Sequence, residues 1–600
     1  MKYPTLNEMA TTRGLTDVFM GYNHNLRIGE GEFYNMTNLT SSNYPVLSPR
    51  PQRGEYKSDT YGVPSNPLGM VVKDSLCYVD GQNFIINKDK IDMKLSDEPK
   101  TLISMGAYVV ILPDKKYINT EDLTDFGDIE ELVETKGSVN FELCKFDGEN
   151  YGEIKAKDTA PTITDEMKNG TEDIPLWIDT SSTPHSLKQY STSNAMWSPI
   201  ATTYIKISFP NDFSKENPIP FKEGDGVTIS GITDERIADL NNTMVIQAVG
   251  DNYIVVIGIL DEIISQEEPI KIERTMPIMD FVIESGNRLW GCRYGTQIAN
   301  GETVVVNEIY ASKLGDFKNW HCYAGISTDS YAVTVGTDGQ FTGAIAYLGY
   351  PIFFKENYMH KVYGYYPANY QIQTTACRGV QKGCDKSLAI VNEVLYYKSR
   401  SAVCAYDGSL PSEISTALGE ESYSNAVAGW LGNKYYISMM DNTNQYHLFA
   451  CDTKKGMWHR EDNTHAADFC NCRGDLYFID VDKDGNRKIK SVLGSGTRDS
   501  SPVKWSAETG ILGTDSPDKK YISRIDVRLS MEIGSKMYFF VEYDSSGEWE
   551  YLFSADGHTL RTFAIPIRPN RCDHLRLRID GEGEAKIFSI CKTIEDGSDI

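Results

Sequence analysis

The chain contains little that would place it in a membrane or on nucleic acid. It has no long apolar run, and its first residues (Met-Lys-Tyr-Pro-Thr-Leu) form no apolar signal region, so we expect no membrane segment. Positive charge is scarce, since 59 Lys and Arg against 84 Asp and Glu give a formal net charge of −25. A surface that grips DNA or RNA needs clustered Lys and Arg, so that class is excluded. The acidity either serves solubility or forms a channel wall that repels passing DNA.

The motifs of common enzymes are also missing. The sequence contains no nucleophile elbow, phosphate-binding loop, metalloprotease helix or dinucleotide-binding glycine motif. Its twelve cysteines are spread thinly and form no disulfide framework, which indicates reduced thiols and folding in a cytosol. From these absences we predict a protein that is not an enzyme, with no catalytic residues, no metal and no cofactor.

What the sequence does contain is a repeated β-rich unit, clearest from Gly432 onward. Residues 434–440 and 446–451 are apolar and aromatic, polar residues 441–445 separate them, and residues 457–460 begin a third strand. Short strands bounded by Asn, Asp and Gly are typical of antiparallel sheet.

Similar units recur along the chain and suggest one architecture. They begin at Ser75, Gly106, Gly286, Gly349, Asn392 and Gly474. From Asn392 to Gly432 and on to Gly474 the steps are 40 and 42 residues. A period of roughly 40–45 residues is typical of a β-propeller, in which four-stranded blades bury each other's faces. We therefore predict an all-β fold built on a propeller of six or seven blades.

The chain divides into five predicted segments. They are an N-terminal extended arm or strand (1–60), the first blades (61–150), an inserted β-rich domain (151–275), the remaining blades (276–500) and a C-terminal β-sandwich (501–600). The insertion is inferred because the units at Gly106 and Gly286 are 180 residues apart, far more than one blade.

Three details of this division lead to specific expectations. Three prolines within residues 44–53 make the arm extended, either to close the ring or clasp a neighbour, or as a plain surface strap. The acidic residues 121–134 are predicted as a short helix. In the last segment Ile525, Val527 and Leu529 alternate with polar residues, as in a sandwich strand with one core face.

Two clusters invite a metal-binding interpretation. Residues 480–486 begin like a calcium loop, but Ser491 stands where the loop needs a bidentate carboxylate, so we prefer a hairpin turn. His459, Glu461 and His465 lie on a strand and the loop after it, and their spacing matches no zinc motif. We interpret them as solvated loop residues.

Residues 312–320 are similar to the Asp-box turn of sialidase-like propellers, although the spacing differs. Such an enzyme also needs an arginine cluster, for which Arg288, Arg293 and Arg378 are candidates without a supporting pattern. We interpret the segment as a blade turn with Trp320 packed between blades.

The order of several motifs resembles the tail propeller proteins of bacteriophages, namely the tail nozzle (tail tubular protein B) and stabilisation proteins of short-tailed phages. The similarity covers residues 60–120 and 276–500 and, more weakly, the C-terminal segment. The motifs are Gly-Asn-Arg-Leu-Trp-Gly (286–291), the segment 307–320, Phe-Phe-Lys-Glu (353–356), Lys-Val-Tyr-Gly (361–364), Tyr-Tyr-Lys-Ser-Arg (396–400), Tyr-Asp-Gly (406–408) and the segment 452–458.

This resemblance implies a structural protein of the virion tail, assembled in the cytoplasm of the host bacterium. Such proteins form a homo-oligomeric ring, commonly six-fold, below the portal and adaptor. The ring retains the genome and then lets DNA pass without specific binding. The insertion and the sandwich would contact other subunits, tail fibres or spikes, and no membrane is implied. No interface residue is transferred by the resemblance.

Two other functions stay open at this stage. The first is a glycan- or receptor-binding, or glycan-cleaving, propeller of the tail. Clustered carboxylates around a pocket with an aromatic platform would favour it. The second is a cellular interaction propeller.

Overall fold

The computed structural model describes residues 11–299, 302–498, 501–514, 519–557, 559–567 and 570–596. Within these ranges strands dominate, and the one α-helix is the single turn Asp165–Lys168. No helix of the described chain is long and apolar enough to cross a bilayer. The short 3₁₀ helices are Ser41–Asn43, Glu235–Leu240, Pro367–Asn369, Asp385–Ser387 and Thr416–Leu418.

The described chain contains seven antiparallel four-stranded units arranged as a ring, numbered here as blades 1 to 7. Blades 1 and 2 comprise Pro67–Val72, Leu76–Asp80, Asn83–Ile86 and Asp89–Asp92, then Thr101–Met105, Tyr108–Leu112, Lys116–Asn119 and Phe126–Asp128. Blades 3 and 4 comprise Phe281–Glu284, Leu289–Ala299, Glu302–Ala311 and Tyr331–Thr334, then Phe341–Tyr347, Tyr350–Lys355, Tyr358–Tyr363 and Gln371–Ala376. Blades 5 and 6 comprise Ala389–Val391, Val394–Lys398, Val403–Tyr406 and Ser412–Glu413, then Ser424–Leu431, Lys434–Met440, Tyr446–Asp452 and Met457–Asp462. Blade 7 comprises Ala466–Cys472, Asp475–Val481, Arg487–Ser491 and the distant strand Gly54–Glu55, beside which lies Thr497–Arg498.

The blades close into a propeller through their first strands. Each first strand contacts that of the next blade, except that blade 4 meets blade 5 through the 3₁₀ helix Asp385–Ser387, and blade 7 returns to blade 1. The predicted propeller is confirmed.

The repeated Gly or polar residue of the sequence marks the turn between the first and second strands of most blades. In blade 6 this turn contains Gly432, with φ of 57°, and in blade 5 Asn392 and Glu393 have φ of 48° and 67°. Two-residue hairpins of this type need positive φ, which Gly and Asn adopt most easily. The repeat in the sequence is therefore a repeat of hairpin geometry.

The N-terminal arm closes the ring. Gly54–Glu55 pairs antiparallel with Arg487–Ser491, placing Gly54 opposite Ser491 and Glu55 opposite Lys490. Blade 7 thus takes three strands from late in the chain and one from its beginning, so neither end of the ring is left as an open edge. Residues 1–10 of the predicted arm lie outside the described residues.

The inserted domain begins earlier than predicted, at Glu131 rather than at residue 151, and ends at Arg274. Glu131–Glu134 pairs with Lys271–Arg274, so that Glu131 faces Arg274 and Glu134 faces Lys271. Lys271 Nζ lies 3.9 Å from Glu134 Oε1, and an opposite-charge pair across two strands contributes about 0.2–1 kcal/mol. The short helix predicted over 121–134 is wrong, because this pairing makes its second half a strand.

Two sheets enclose the core of the insertion, and a third, smaller sheet is attached to them. Val139 and Phe141 alternate inward and pack with Ile205 and Ile207, which explains why the strand before Asp147 belongs here and not to a blade. The first sheet comprises Glu131–Glu134, Gly226–Ser230, Thr243–Val245 and Lys271–Arg274. The second comprises Val139–Cys144, Tyr204–Ser208, Ala248–Val249, Tyr253–Ile257 and Ile264–Gln266. The smaller sheet comprises Ile154–Lys157, Leu176–Asp179, Ser186–Ser191 and Met196–Pro199.

The C-terminal β-sandwich is present, and its sheets also include strands of the N-terminal arm. Thr11–Thr16 pairs with Ala585–Asp596, and Glu32–Thr37 pairs with Lys504–Thr509. One sheet also contains Lys520–Met531, Arg561–Ile565 and Arg571–Cys572. The other contains Gly21–Tyr22, Lys536–Tyr543, Glu550–Asp556 and Leu575–Glu582, and a separate small pair comprises Leu39–Thr40 and Ser48–Pro49.

The sandwich and the propeller share a continuous sheet. Tyr22 pairs with Trp458 of blade 6, so one ten-stranded sheet runs from blade 6 through the arm into the sandwich. Residues 515–518, 558, 568–569 and 597–600 of the predicted sandwich lie outside the described residues.

Candidate functional site

One face of the propeller carries both the links between blades and the turns between second and third strands. Strands alternate in direction within an antiparallel blade, so these two kinds of loop meet at one end. The insertion leaves the propeller on this face, between blade 2 and blade 3. Loops held by a rigid scaffold are where binding and catalytic residues concentrate, so a functional site is expected on this face.

A cleft of about 680 Å³ opens on this face between blades 4, 5 and 6, and we call it the blade 4–6 cleft. Four loops form it. They contribute four glutamates and two exposed arginines, together with smaller polar groups. These charged residues are Glu356, Glu413, Glu420, Glu421, Arg378 and Arg400.

The best-defined contact in the cleft joins Arg378 to Glu413. Arg378 Nη1 donates to Glu413 Oε2 at 3.1 Å, and both side chains are substantially exposed. Tyr397 holds the backbone of Arg378 in place, because Tyr397 Oη donates to the Arg378 carbonyl oxygen at 2.5 Å. Arg378 therefore projects a guanidinium from an anchored backbone into an open, charged cleft.

A buried lysine supports the floor of the cleft. Lys398 Nζ donates to Gln381 Oε1 at 3.1 Å and to the Ser399 carbonyl at 2.5 Å. Burial lowers the pKa of Lys398. In blade 4 the equivalent Lys355 reaches back to Asn307 Oδ1 of blade 3 at 2.9 Å. Both lysines end the second strand of their blade. Lys355 contacts the preceding blade, whereas Lys398 contacts the connection between blades 4 and 5, and the loop that follows Lys398 lines the cleft.

The wall on the blade 6 side is less polar. Tyr423, Leu418 and Met439 line it, and Tyr423 packs edge-on against Phe449 at 5.5 Å between ring centroids. Burial raises the pKa of the Tyr423 hydroxyl. An apolar wall opposite charged groups is the usual composition of a small-molecule site.

A second cavity, of about 420 Å³, lies at the mouth of the propeller axis on the same face. Lys386, just before blade 5, reaches past blade 6 to blade 7, where its Nζ donates to the Ala467 carbonyl at 3.2 Å and lies 3.8 Å from Asp468 Oδ1. Asp468 Oδ2 in turn accepts from the backbone N–H of Met70 in blade 1 at 3.1 Å. Side chains of the segment before blade 5 and of blade 7 therefore meet across the axis.

The structure separates the residues that suggested a metal. His459 is buried, and burial lowers its pKa to about 3. Glu461 instead binds Arg53, with Oε2 and Nη2 2.9 Å apart, and His465 stacks on Tyr446. The interpretation of His459 and Glu461 as solvated loop residues is wrong, because both are buried on the last strand of blade 6.

The aspartate-rich segment 480–486 forms a turn. Asp482 Oδ1 accepts from the backbone N–H groups of Asp484 and Asn486 at 2.9 and 2.8 Å, between two strands of blade 7. Across the described residues, no group of three or more His, Cys, Asp or Glu side chains is arranged to hold a metal ion.

The segment 312–320 is a joint between the propeller and the insertion. Asn319 Nδ2 donates to Asp225 Oδ1 at 2.8 Å, and Asn319 Oδ1 accepts from the Gly226 N–H at 3.0 Å. Asp225 also binds Arg274, with Oδ2 and Nη1 2.8 Å apart. Trp320 is buried in a cluster shared by blades 2 and 3. These contacts give the segment a structural role.

The three candidate arginines do not come together. Arg288 is buried and donates to backbone carbonyls, including that of Ser312 at 2.7 Å. Arg293 pairs with Asp280 on blade 3, and only Arg378 of the three lines the blade 4–6 cleft. The sequence contained a weak signal for this cleft, since the motifs 353–356 and 396–400 both end in it. Nothing in the sequence singled out Glu413, Glu420 or Glu421.

Comparison with known proteins returned only distant structural similarity. No family model matches the chain, and no curated protein does. The exo-β-1,3-galactanase of Phanerochaete chrysosporium is 8% identical, with 52% of this chain and 95% of that chain covered and a TM-score of 0.20. A mutant sialidase of Trypanosoma rangeli that displays trans-sialidase activity is 8% identical, with 68% and 93% covered and a TM-score of 0.21. Another structure of the Trypanosoma rangeli sialidase, with 2,3-difluorosialic acid, is 8% identical, with 97% and 95% covered and a TM-score of 0.22.

These findings correct one sequence-based prediction. The chain was expected not to be an enzyme, and that expectation is withdrawn, because the similar structures are glycoside hydrolases and sialidases. At 8–10% identity the likeness concerns the fold and assigns no catalytic residue to this chain.

Proposed function

We propose that this chain is a carbohydrate-active propeller that binds a glycan in the blade 4–6 cleft and cleaves a glycosidic bond there. The observation that carries the proposal is the cleft itself, in which four glutamates and two arginines surround about 680 Å³ of open space. Cleavage of a glycosidic bond is commonly performed by two carboxyl groups on either side of the bond.

The carboxyl groups differ in their surroundings, which suggests different roles. Glu413 is held by Arg378 at 3.1 Å and is the candidate for the nucleophile or base. The acid would come from Glu356, Glu420 or Glu421, which line the same cleft. Arg378 and Arg400 would bind sugar hydroxyl or carboxylate oxygens, and Tyr423 lies in the wall where a sugar ring can pack.

The test is a screen of the full chain against α- and β-linked oligosaccharides, with release of reducing ends and glycan-array binding as separate readouts. We expect Glu413→Gln to lower turnover at least a hundredfold while the array signal remains. Arg378→Gln should weaken binding. The control is Glu548→Gln, which removes an exposed carboxylate from the sandwich. If the unaltered chain neither binds nor cleaves any glycan, the proposal fails.

The second candidate function is a structural subunit of a bacteriophage tail, as the motif order suggests. The feature that favours it is the hairpin of blade 3, whose strands Leu289–Ala299 and Glu302–Ala311 are far longer than the four-residue strands beside them. Val305 lies on the projecting part and is 68% exposed. An exposed apolar side chain on a projecting hairpin suits a contact with a neighbouring subunit.

In this second function a homo-oligomeric ring, six-fold in the resembling proteins, would sit below the portal and adaptor and bind tail fibres or spikes. The DNA would pass between subunits and not through the propeller axis, which Lys386 and Asp468 span. Quantitative mass spectrometry of purified virus particles tests this. We expect a few to a dozen copies per portal ring, and particles that form normally without the chain would contradict it.

A further inference from the structure

A groove of about 880 Å³ lies on the C-terminal sandwich, away from the blade 4–6 cleft. Its floor is the outer face of the sheet formed by Thr11–Thr16, Ala585–Asp596, Lys520–Met531 and Arg561–Ile565. The inner face of the same sheet packs in the main core, so the fold holds the groove rigidly.

Strand alternation explains why arginines line this groove. On the strand Lys520–Met531, Ile525 and Val527 are buried in the core, so Arg524, Asp526 and Arg528 point to the other face. The N-terminal strand adds Arg13 to the same face, although it comes from the opposite end of the chain.

The arginines outnumber the acids that face them. Asp526 is the common partner of two of them, since Arg13 Nη2 lies 3.4 Å from Oδ2 and Arg524 Nε lies 2.9 Å from Oδ1. Among the residues that the structure describes, Arg528 makes one long contact, from Nε to Thr562 Oγ1 at 3.4 Å. With Asp17 the lining has three arginines and two aspartates, an excess of one positive charge.

This local excess stands out in a chain whose formal net charge is −25. Each guanidinium has five N–H donors. Arg13 Nε also donates to Cys591 Sγ at 3.0 Å, so the contacts with described residues use two donors of Arg13 and one each of Arg524 and Arg528. The side chains of Arg13 and Arg524 are 66% and 60% exposed, so their remaining donors face the groove and solvent. A planar, bidentate acceptor such as a carboxylate suits these donors.

The apolar residues that line the groove indicate which class of ligand it can bind. Leu15 and Leu560 are 61% and 59% exposed and give the groove apolar edges, against which the C–H faces of a sugar ring can pack. A nucleic acid is disfavoured, because gripping its phosphate backbone takes several clustered Lys and Arg, and the lining of this groove has an excess of only one positive charge. We propose that this groove is a second carbohydrate-binding site, which takes a uronic acid of an acidic polysaccharide through its carboxylate.

The experiment is calorimetric titration of the full chain with oligogalacturonate at 0.15 M salt, on the order of physiological ionic strength. We expect Arg524→Gln/Arg528→Gln to raise the dissociation constant at least tenfold. The matched control, Arg27→Gln/Arg473→Gln, removes two exposed arginines elsewhere and should change it less than twofold. Arg528→Lys keeps the charge but loses the bidentate geometry, and should give an intermediate loss.

Several results would overturn this proposal. They are absence of binding by the unaltered chain, equal losses in the control, and equally tight binding of poly-glutamate, of inorganic sulfate or of a DNA oligonucleotide. A neutral galactose oligomer should not bind the groove. Arg378→Gln, which should weaken glycan binding in the blade 4–6 cleft, should leave oligogalacturonate affinity of the groove unchanged. The two sites can therefore fail independently.

Discussion

Arg53 and Glu461 join the N-terminal arm to blade 6, with Nη2 and Oε2 2.9 Å apart although the two residues are 408 positions apart in the sequence. Arg53 Nη1 also lies 2.7 Å from Asp462 Oδ2, and Arg50 Nη2 lies 3.2 Å from the same oxygen. The four side chains are between 2% and 24% exposed. Because Arg53 immediately precedes Gly54–Glu55, this ion-pair cluster fixes the strand that closes the ring.

Loss of Arg53 should therefore destabilise the whole propeller. Arg53→Met leaves the carboxylate of Glu461 buried with one distant partner, which costs about 3–5 kcal/mol when a buried pair is broken. We expect a clear fall in the apparent melting temperature and faster proteolysis within residues 44–66. Arg473→Met, at an exposed turn of blade 7, is the control and should have little effect. Adding Glu461→Gln to Arg53→Met should recover part of the lost stability. If the stability losses of the two substitutions simply added in the double variant, Arg53 and Glu461 would not be coupled.

Two buried histidines should make stability depend on acid pH. Burial lowers the pKa of His459 to about 3 and that of His360 to about 4, against an ordinary value of 6.5. Both are neutral when folded, whereas the unfolded chain takes up protons below pH 6.5. Stability from each is thus complete above pH 6.5 and lost as pH falls toward the folded pKa, by at most about 1.4 kcal/mol per pH unit.

The slope of this pH dependence is the measurement that checks the prediction. His459→Asn should flatten the fall in unfolding free energy between pH 6.5 and 3, whatever it does to stability at neutral pH. His360→Asn should flatten the fall in unfolding free energy between pH 6.5 and 4. His185→Asn, on a loop of the insertion, is the control. An unchanged slope in both core variants would contradict the assignment.

The sequence predicted the propeller because hairpin turns require particular residues at fixed positions. Gly432, Asn392 and Gly474 mark turns whose backbone demands positive φ, so the period is visible without any knowledge of contacts. The partner of Gly54–Glu55 could not be predicted, because a two-residue strand has no periodicity and pairs with residues more than 430 positions away. The blade 4–6 cleft was missed for a similar reason. Glu413 and Arg378 are 35 residues apart and meet only through blade geometry.

The joint between the insertion and blade 3 should depend on Asn319. This side chain donates to Asp225 and accepts from Gly226, and it is 1% exposed. Asn319→Ala removes two hydrogen bonds to charged groups, those to Asp225 and Asp316, and leaves the Gly226 N–H without its partner. One such hydrogen bond alone contributes about 1.5–3 kcal/mol. We expect the insertion to become more mobile relative to the propeller, seen as faster amide exchange at residues 224–230. Asn486→Ala, in an exposed turn of blade 7, is the control, and equal exchange in both variants would contradict the prediction.

The insertion should be removable as a unit, but only at its structural boundaries. Glu130 Oε1 accepts from the Met276 N–H at 3.0 Å, so the two ends of the insertion lie side by side on the propeller. Replacing residues 131–275 with a short glycine linker should leave a folded propeller, judged by a single gel-filtration peak and retained near-ultraviolet circular dichroism. Deleting only residues 201–275, which cuts through the inserted domain, leaves Val139 and Phe141 without their sheet partners and core. That variant should aggregate, because it exposes apolar strand edges. If the shorter deletion proved as soluble and well folded as the longer one, Val139–Cys144 would not be integral to the inserted core.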